Sequence, residues 1–348
     1  MCHPDVVLEI AARLLVRLDG DEHRPGAPLV VATVVDIDGS SPRTLGTSMA
    51  WDGEAVIGSI AGGCVEGAVV EVAERVLDDR RPRTVEFGVS DATALSVGLS
   101  CGGKLRIHLA LLEPMDAAVA TLREAAAGGA ARLALTRDGF RAGGFEPQDC
   151  AAADDVSIEY VDVITPPARF IIVGAMEFST ALAAAARVLG YDVTVCDPRE
   201  LFTTEARFPG ASLAIEWPPD YLERTEIDER TVIALLSHDD RFDTDALAVA
   251  LRSKAGYVGA MGSRRTHDRR VEALQRLSIP LDELARLHSP IGLDLGASTP
   301  EETAVSILAE VLANRAASST QPLSRTGGAI HLRLTPPEQI ISAPHSAL

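Results

Sequence analysis

Cys64 follows two glycines in the stretch GSIAGGCVEG, where a helical pattern of apolar residues begins. From Val65 onward apolar residues recur every three or four positions, which predicts an amphipathic helix over residues 65–79. Cys64 would then lie at the helix N-terminus, where unpaired N–H groups and the helix dipole favour an anion such as a thiolate. Gly62 and Gly63 would let a ligand approach the backbone closely. The alternative is a tight turn that precedes a small buried cysteine.

Two more loops of the same half are rich in glycine and serine. GSSPR contains Arg43, and GLSCGG contains Cys101 and Gly102. If the strands beside these loops share one sheet, the loops converge and offer two thiols, an arginine and many backbone N–H groups. Such a cluster would suit an anionic ligand that carries sulfur or a metal, with Cys64 and Cys101 as candidate contacts to the metal.

The second half opens with a strand, a glycine loop and a helix, which is the start of a dinucleotide-binding unit. After the strand RFIIV, Gly174 fills the first glycine position of G-x-G-x-x-G, and Asp197 fills the acidic position at the end of the next strand. The second glycine position is Met176, whose side chain would occupy the space of the pyrophosphate. Glu177 adds a negative charge where a phosphate would lie. We therefore expect a Rossmann-like domain that does not bind NAD(P) in the usual pose.

A second cluster of polar residues follows later strands of this half. The stretch GSRR places Ser263 and Arg264 at a predicted helix N-terminus, where they could hold a phosphate. His238, with Asp239 and Asp243, offers an acid–base or metal-binding group. The number of ligands is low and the spacing is not diagnostic, so a structural histidine is the favoured interpretation.

Composition narrows the class of protein. The chain has 348 residues, 47% hydrophobic and 24% charged, which is typical of a soluble protein with two domains. Its net charge of -18 argues against binding to nucleic acid or anionic membranes. No run of apolar residues is long enough for a membrane span, and no basic region followed by an apolar one marks a secretory signal, so a cytoplasmic location is expected. The five cysteines are widely spaced without a CxxC pair, which argues against a disulfide framework and a zinc knuckle.

Hydrophobic periodicity predicts the elements that position these residues. In the first half it predicts a helix, a β-branched strand, a hairpin that turns at Asp52-Gly53, the cysteine helix and two further strands. From residue 169 apolar strands alternate with helices, which predicts a doubly wound parallel sheet. Thr299, Pro300 and Glu302 supply the signals that start a helix running to about Arg315. The predicted division is a mixed α/β domain (1–115), a connecting segment (116–168), a Rossmann-like domain (169–316) and a tail that is flexible at least in part (317–348).

Several of these motifs resemble those of a known family. GSSPR, GSIAGGCVEGA, GLSCGG, CDPR, SHDDRFD, GAMGSRR and SPIGLDLGASTPEETAVSILAE are similar to motifs of the XdhC/CoxI family of xanthine dehydrogenase accessory proteins. The resemblance covers about residues 29–113 and 169–315. It departs at Gly174-Ala175-Met176-Glu177, where the family usually has GAGH.

The resemblance implies a function and a set of partners. It implies an XdhC/CoxI-type N-terminal domain, a Rossmann-like C-terminal domain and a homodimer. It also implies a chaperone, rather than a catalyst, that binds the molybdenum cofactor (molybdopterin) while a cysteine desulfurase sulfurates it. The chaperone then hands the cofactor to a xanthine dehydrogenase-type molybdenum hydroxylase.

The chemistry of such a cofactor agrees with the residues singled out above. Molybdopterin carries a terminal phosphate, a dithiolene and a metal, so its carrier should offer a phosphate site and soft ligands. Arg43, Cys64 and Cys101 are the candidates in the first half. Two alternatives remain open: an NAD(P)-dependent oxidoreductase, and a regulatory partner of a molybdenum enzyme that does not contact the cofactor.

Overall fold

The chain forms two compact units in a computed structural model. The structure describes residues 8–21, 24–38, 43–63, 65–88, 104–127, 129–143, 158–164 and 166–327. Unit 1 comprises Met1–Pro166 with Thr326–Leu348, and unit 2 comprises Pro167–Arg325. The predicted features at Cys64, Cys101 and Gly102, and the end of the predicted tail from residue 328, lie outside the described residues.

Unit 1 has mixed α/β structure. Its elements are α1 (Leu8–Asp19), β1 (Gly20–Asp21), β2 (Arg24–Pro25), β3 (Leu29–Asp38), β4 (Ser48–Trp51), β5 (Val56–Gly58), α2 (Glu66–Asp79), β6 (Arg83–Phe87), β7 (Lys104–Leu112), α3 (Ala117–Ala126), β8 (Ala131–Thr136), β9 (Gly139–Ala142) and β10 (Ile158–Ile164). A five-stranded antiparallel sheet has the order β5-β4-β3-β7-β6, a three-stranded one the order β10-β8-β9, and β1 pairs with β2. Within the described residues of unit 1, the predicted helices and strands and the hairpin at Asp52-Gly53 are confirmed.

Strand β3 is buried on both faces of its sheet, which explains its continuous apolar sequence. Val30 and Val34 pack in a cluster with Val69 of α2. Val31 points to the other face and packs with Leu14 of α1. Because successive side chains of a strand alternate between faces, one β-branched run serves both helical layers.

Unit 2 is a doubly wound α/β unit. Its elements are β11 (Arg169–Val173), α4 (Glu177–Val188), β12 (Asp192–Cys196), β13 (Ser212–Ala214), α5 (Pro218–Arg224), β14 (Val232–Leu235), α6 (Asp243–Arg252), β15 (Tyr257–Ala260), α7 (Arg264–Arg276), α8 (Leu281–Leu284), β16 (Leu287–His288) and α9 (Pro300–Ala316). All neighbouring strands are parallel, in the order β13-β12-β11-β14-β15-β16. This is the strand order of the dinucleotide-binding fold. The predicted fold class, a mixed α/β domain followed by a Rossmann-like parallel sheet, is confirmed.

Both faces of this sheet are covered by helices. Ile172 of β11 packs in one cluster with Leu182 of α4 and Ile307 of α9. Its neighbour Ile171 packs on the other face with Leu247 of α6. The ligand-accessible part of such a sheet is therefore its edge, where the strands end.

Helix α9 starts as its sequence predicts. Thr299 Oγ1 accepts a hydrogen bond from Glu302 N at 3.1 Å, and the Glu302 carboxylate accepts one from Thr299 N at 3.1 Å. This capping box satisfies two backbone groups at the helix start. None of the described helices combines the length and apolar character needed to cross a membrane.

Candidate functional site

The carboxyl edge of the parallel sheet gathers most of the residues predicted for the second half. β11 lies between β12 and β14, so the sheet reverses its strand order there. Open α/β sheets bind ligands in the crevice at this switch point. The loops that follow the three strands begin at Gly174, Asp197 and Leu236.

Gly174 is required by its backbone conformation and by its neighbour. Its φ is +102°, in the region that favours glycine, and an added Cβ would lie 2.8 Å from Ser237 N. Its N–H donates to Cys196 O at 2.9 Å. The loops after β11 and β14 therefore approach each other as closely as backbones can.

Asp197 lies where the dinucleotide pattern predicts it, yet its carboxylate is fully engaged within the protein. It has no exposed surface. Oδ2 accepts from Ala175 N at 2.8 Å and from Arg199 Nη2 at 2.6 Å, while Oδ1 accepts from Arg199 N and Nε, both at 2.9 Å. Burial acts to raise the pKa of Asp197, but these hydrogen bonds outweigh it and lower the pKa below its usual value. A ribose hydroxyl would have to displace one of these donors.

The N-terminus of α4 is also occupied by the protein's own side chains. Met176 is the N-cap residue, and its Sδ lies 3.8 Å from Arg199 Nη2. Met176 N lies 3.3 Å from Ser179 Oγ. Glu177, the first residue of α4, forms an ion pair with Arg207 at 3.6 Å. An acidic side chain therefore lies at the helix start, where a phosphate would bind. These contacts agree with the expectation that a pyrophosphate does not bind here in the usual pose.

A second pair of aspartate and arginine repeats the first one across the crevice. Oδ1 of Asp239 accepts from Arg241 N at 3.1 Å and from Nε at 2.8 Å, and Oδ2 accepts from Nη2 at 2.5 Å. The hydrogen bond from Arg241 lowers the pKa of Asp239 to about 2. The Asp197–Arg199 pair follows β12 and this pair follows β14, and these two strands are the neighbours of β11.

The group predicted around His238 does not assemble as a metal site. His238 is exposed. Asp243 is buried, accepts from Ser237 Oγ, and lies 3.3 Å from Arg270 Nη2. Burial raises the pKa of Asp243 despite these partners. Among the described residues, no three side chains of His, Cys, Asp or Glu are placed to hold a metal ion.

Ser263 caps α7 as predicted. Its Oγ accepts from Thr266 N at 3.1 Å. Arg264 and Arg265 are exposed beside it and form no ion pair within the part of the chain that the structure describes. That Ser263 and Arg264 bind a phosphate stays a prediction.

In unit 1 the glycine loop before α2 folds around a carboxylate that the sequence pattern did not single out. Oε1 of Glu66, the first residue of α2, accepts from Ser59 Oγ at 2.7 Å, Ile60 N at 3.1 Å and Ala61 N at 2.9 Å. Its Oε2 accepts from Gly63 N at 2.9 Å and Val65 N at 3.1 Å.

Glu66 thus fills the position where an external anion was expected. Burial acts to raise its pKa, but hydrogen bonds from the loop backbone and from Ser59 lower the pKa to about 2. The backbone N–H groups that would bind a ligand donate hydrogen bonds to the Glu66 carboxylate instead. The sequence signal was an acidic residue in the first helical turn, three residues after Gly63.

The glycines of this loop remain open to a ligand on their outer side. Gly62 and Gly63 are exposed, with φ of +73° and +107°, and an added Cβ would meet no atom of the described residues within 4 Å. Arg43 is half-buried in the turn after β3. Because Cys64 and Cys101 lie outside the described residues, their convergence with Arg43 stays a prediction.

Cys196, at the end of β12, is buried. Burial, with smaller contributions from Glu216 and Asp197, raises its pKa to about 12. A buried thiol with a raised pKa is a weak nucleophile, because the thiolate is the reactive form.

Comparison with known proteins agrees with the two-unit fold. A family described as "XdhC and CoxI family" matches residues 23–88, and one described as "XdhC Rossmann domain" matches residues 170–311. One relative, YqeB of Escherichia coli K12, is 24% identical over 285 residues, which are 82% of this chain and 43% of YqeB. This chain therefore spans less than half of that protein's length.

Two further relatives match over most of their length. The molybdenum cofactor insertion chaperone PaoD of Escherichia coli K12 is 28% identical over 318 residues, which are 87% of this chain and 88% of PaoD. A probable xanthine dehydrogenase subunit from Bacillus subtilis 168 is 25% identical over 313 residues, covering 82% of this chain and 93% of that protein.

One solved structure has the same overall fold. The crystal structure of a Bacillus halodurans protein described as a xanthine dehydrogenase superposes with a TM-score of 0.70 at 25% identity, over 91% of this chain and 98% of that one. One family model matches part of unit 1 and the other matches most of unit 2, so the predicted resemblance is confirmed. The chain belongs to the XdhC/CoxI family.

Proposed function

We propose that the protein is an accessory chaperone that binds the molybdenum cofactor and delivers it to a xanthine dehydrogenase-type molybdenum hydroxylase. The observation that carries the proposal is the match to PaoD, a molybdenum cofactor insertion chaperone, over 88% of that protein's length. A shared Rossmann domain alone would not produce a match of this extent. The match to a probable xanthine dehydrogenase subunit supports the same class of partner.

The described residues offer chemistry that suits this cargo. The cofactor has an anionic phosphate, and unit 2 presents arginines at the carboxyl edge of its sheet. Unit 1 presents two exposed glycines next to Cys64 in the sequence, and an added Cβ at either one would meet no atom of the described residues within 4 Å. We propose that Cys64 and Cys101 contact the molybdenum or line its pocket, since thiolates are soft ligands.

The proposal has further parts. A cysteine desulfurase sulfurates the cofactor while the chaperone holds it, the chaperone acts as a homodimer, and both partners meet it in the cytoplasm. Co-purification with a desulfurase and light scattering of the purified chain test the first two parts.

The alternative of an NAD(P)-dependent oxidoreductase has one observation in its favour, the strand order of the sheet. Two observations disfavour it. Asp197 is saturated by hydrogen bonds from Arg199 and Ala175, and Met176 with Glu177 occupies the N-terminus of α4. A shared fold does not establish a shared cofactor.

The decisive experiment incubates the purified full chain with molybdenum cofactor, passes it through a desalting column, and assays molybdenum and pterin in the protein fraction. We expect near-stoichiometric retention. Retention by PaoD under the same conditions, together with none by this folded chain, would overturn the proposal. Cys64→Ala and Cys101→Ala test the thiol part, which is wrong if both variants retain the cofactor like the parent chain.

A further inference from the structure

Two arginines are held in the same way in the loops that follow β12 and β14, the strands on either side of β11. From this geometry we infer that Arg199 and Arg241 form a clamp for a phosphoryl group of the ligand. The two arginines form an anion site that the dinucleotide pattern does not predict. Where the ligand is the molybdenum cofactor, this inference rests on the proposed function.

Each arginine is fixed by the aspartate two residues before it. In both pairs the arginine N and Nε donate to one carboxylate oxygen, and Nη2 donates to the other. A long side chain normally loses conformational freedom when it binds an anion. Here the two aspartates have already restricted the guanidinium groups, so less freedom is lost on binding.

The outer edges of both guanidinium groups remain available. Arg199 is 39% exposed and Arg241 is 67% exposed. Within the part of the chain that the structure describes, Nη1 of neither arginine has a hydrogen-bond partner. A guanidinium group carries five N–H donors, so each arginine keeps donors for a second acceptor.

The sheet brings the two arginines to one crevice. β12 and β14 are the two neighbours of β11, and a strand spacing of about 4.8 Å puts their ends about 10 Å apart. The loop of Gly174 follows β11, between these two strands, and lies directly against Ser237 of the loop after β14. The pKa of Arg199 is raised first by Asp197 and further by Asp239, while the charge of Arg241 lowers it, so the two pairs lie within electrostatic reach of each other.

Two guanidinium groups that face one ligand favour a phosphoryl group over a carboxylate. A terminal phosphoryl group has three anionic oxygens and can accept from two guanidinium groups at once, whereas a carboxylate has two oxygens that one fork saturates. Each arginine already holds one carboxylate. The remaining donors therefore suit a ligand with more oxygens and more charge.

The surroundings of Arg199 suit the apolar part of such a ligand. The guanidinium lies over the ring of Phe202, with Cζ 5.0 Å from the centroid. Phe202 and Leu201 are both exposed. Flat rings stack on aromatic and guanidinium surfaces. The ligand class that fits the whole edge is a planar heterocycle that carries a terminal phosphoryl group, which NADH lacks.

The clamp can be tested with inorganic pyrophosphate, which lacks the rest of the cofactor. Trp217 lies beside the clamp, because the Arg241 Cζ is 5.9 Å from its ring centroid. Trp51, the other tryptophan of the chain, buries its Nε1 without a partner among the described residues, so Trp51→Phe removes its emission without breaking a hydrogen bond. In that background we expect a saturable change of Trp217 emission on addition of pyrophosphate at low salt.

Variants then assign the binding to the two arginines, with calorimetry as a readout that does not depend on Trp217. We expect Arg241→Gln and Arg199→Lys each to weaken pyrophosphate binding by about tenfold or more. Arg276→Gln is the matched control, since Arg276 is an exposed, ion-paired arginine at the far end of α7. Arg241 lies on the surface, so Arg241→Gln decides the question if Arg199→Lys unfolds.

The same variants in the cofactor-retention experiment separate the two proposals. If Arg241→Gln and Arg199→Lys are folded and bind pyrophosphate as the parent chain does, the clamp is wrong even when the cofactor is retained. A different result would separate them the other way: the parent chain binds pyrophosphate, neither variant binds it, and the parent chain retains no cofactor. In that case the clamp is supported and the proposed function is wrong.

Discussion

Arg199 holds both carboxylate oxygens of Asp197, with Nε 2.9 Å from Oδ1 and Nη2 2.6 Å from Oδ2, and Asp197 has no exposed surface. In the dinucleotide-binding pattern an acidic residue at this position accepts hydrogen bonds from a ribose. Here it accepts them from an arginine instead. The carboxyl edge therefore presents a cation where a nucleotide-binding domain presents an acceptor.

Because Asp197 is bound by Arg199 rather than free to accept from a ribose, we expect NADH to bind weakly. A titration followed by NADH fluorescence should show no saturable increase, with a Kd weaker than about 1 mM. The physical reason is that the ribose would compete with Arg199 for Asp197 while the pyrophosphate met Met176 and Glu177. A known dehydrogenase at the same concentration serves as control. Saturation in the micromolar range would contradict the prediction and revive the oxidoreductase alternative.

A second prediction concerns Gly174, where a side chain meets two obstacles. Gly174→Ala should lower the free energy of unfolding by about 3 kcal/mol or more, because the new Cβ is strained at positive φ and collides with Ser237. Gly190→Ala is the control, since Gly190 has φ of +83° and an added Cβ meets nothing within 4 Å. It should cost about 1–2 kcal/mol. Equal losses in urea unfolding would show that the approach of the two loops is not tight.

A third prediction concerns the buried pair of Arg270 and Asp243, each with a 7% exposed side chain. Arg270→Met should cost about 3–5 kcal/mol, since it leaves the Asp243 carboxylate buried without its cation. Arg269→Met, at an exposed neighbour on the same helix, should change stability by no more than about 0.5 kcal/mol.

Adding Asp243→Asn to Arg270→Met tests the cause of that loss. The amide carries no charge, so the double variant should recover part of the stability that Arg270→Met removes. If chemical denaturation shows no recovery, the loss comes from the hydrogen bond that Arg270 Nη1 donates to Met261 O at 2.5 Å.

The sequence predicted most of the fold because most elements carry a local signal. β11 is a short apolar run that ends at Gly174, and Thr299 with Glu302 marks the start of α9. Three elements of unit 2 were missed. The short strand β16 has two residues and α8 has four, which is too few for a periodic pattern. Helix α5 starts with Pro218 and Pro219, which fit the first helical turn but also resemble a break.

The candidate site was less predictable, because its contacts depend on side-chain partners. Gly174 and Asp197 were found from their spacing, but the spacing does not show that Arg199 turns back onto Asp197. The repetition of this pair at Asp239 and Arg241 is visible only when the sheet order places both beside β11. Likewise, Glu66 resembles an ordinary solvated residue of an amphipathic helix until the loop before it is seen to close around its carboxylate.

The last prediction concerns this carboxylate. Glu66→Gln replaces an anion that accepts from four backbone N–H groups with an amide whose NH₂ group faces some of those donors. At pH 7 we expect a loss of about 2 kcal/mol in the free energy of unfolding, a value that allows for solvent screening of a partly exposed group. Glu71→Gln is the control, since Glu71 is exposed on the same helix.

The pH dependence gives the sharper test of Glu66. Its pKa is about 2 in the folded chain against an ordinary value of 4.5, so the unfolded chain takes up a proton first as the pH falls. The stabilisation is therefore complete above pH 4.5 and disappears as the pH falls towards 2. The difference in unfolding free energy between the parent chain and Glu66→Gln should narrow over that interval. A difference for Glu66→Gln that did not change with pH would show that the loop is held by shape rather than by the charge of the carboxylate.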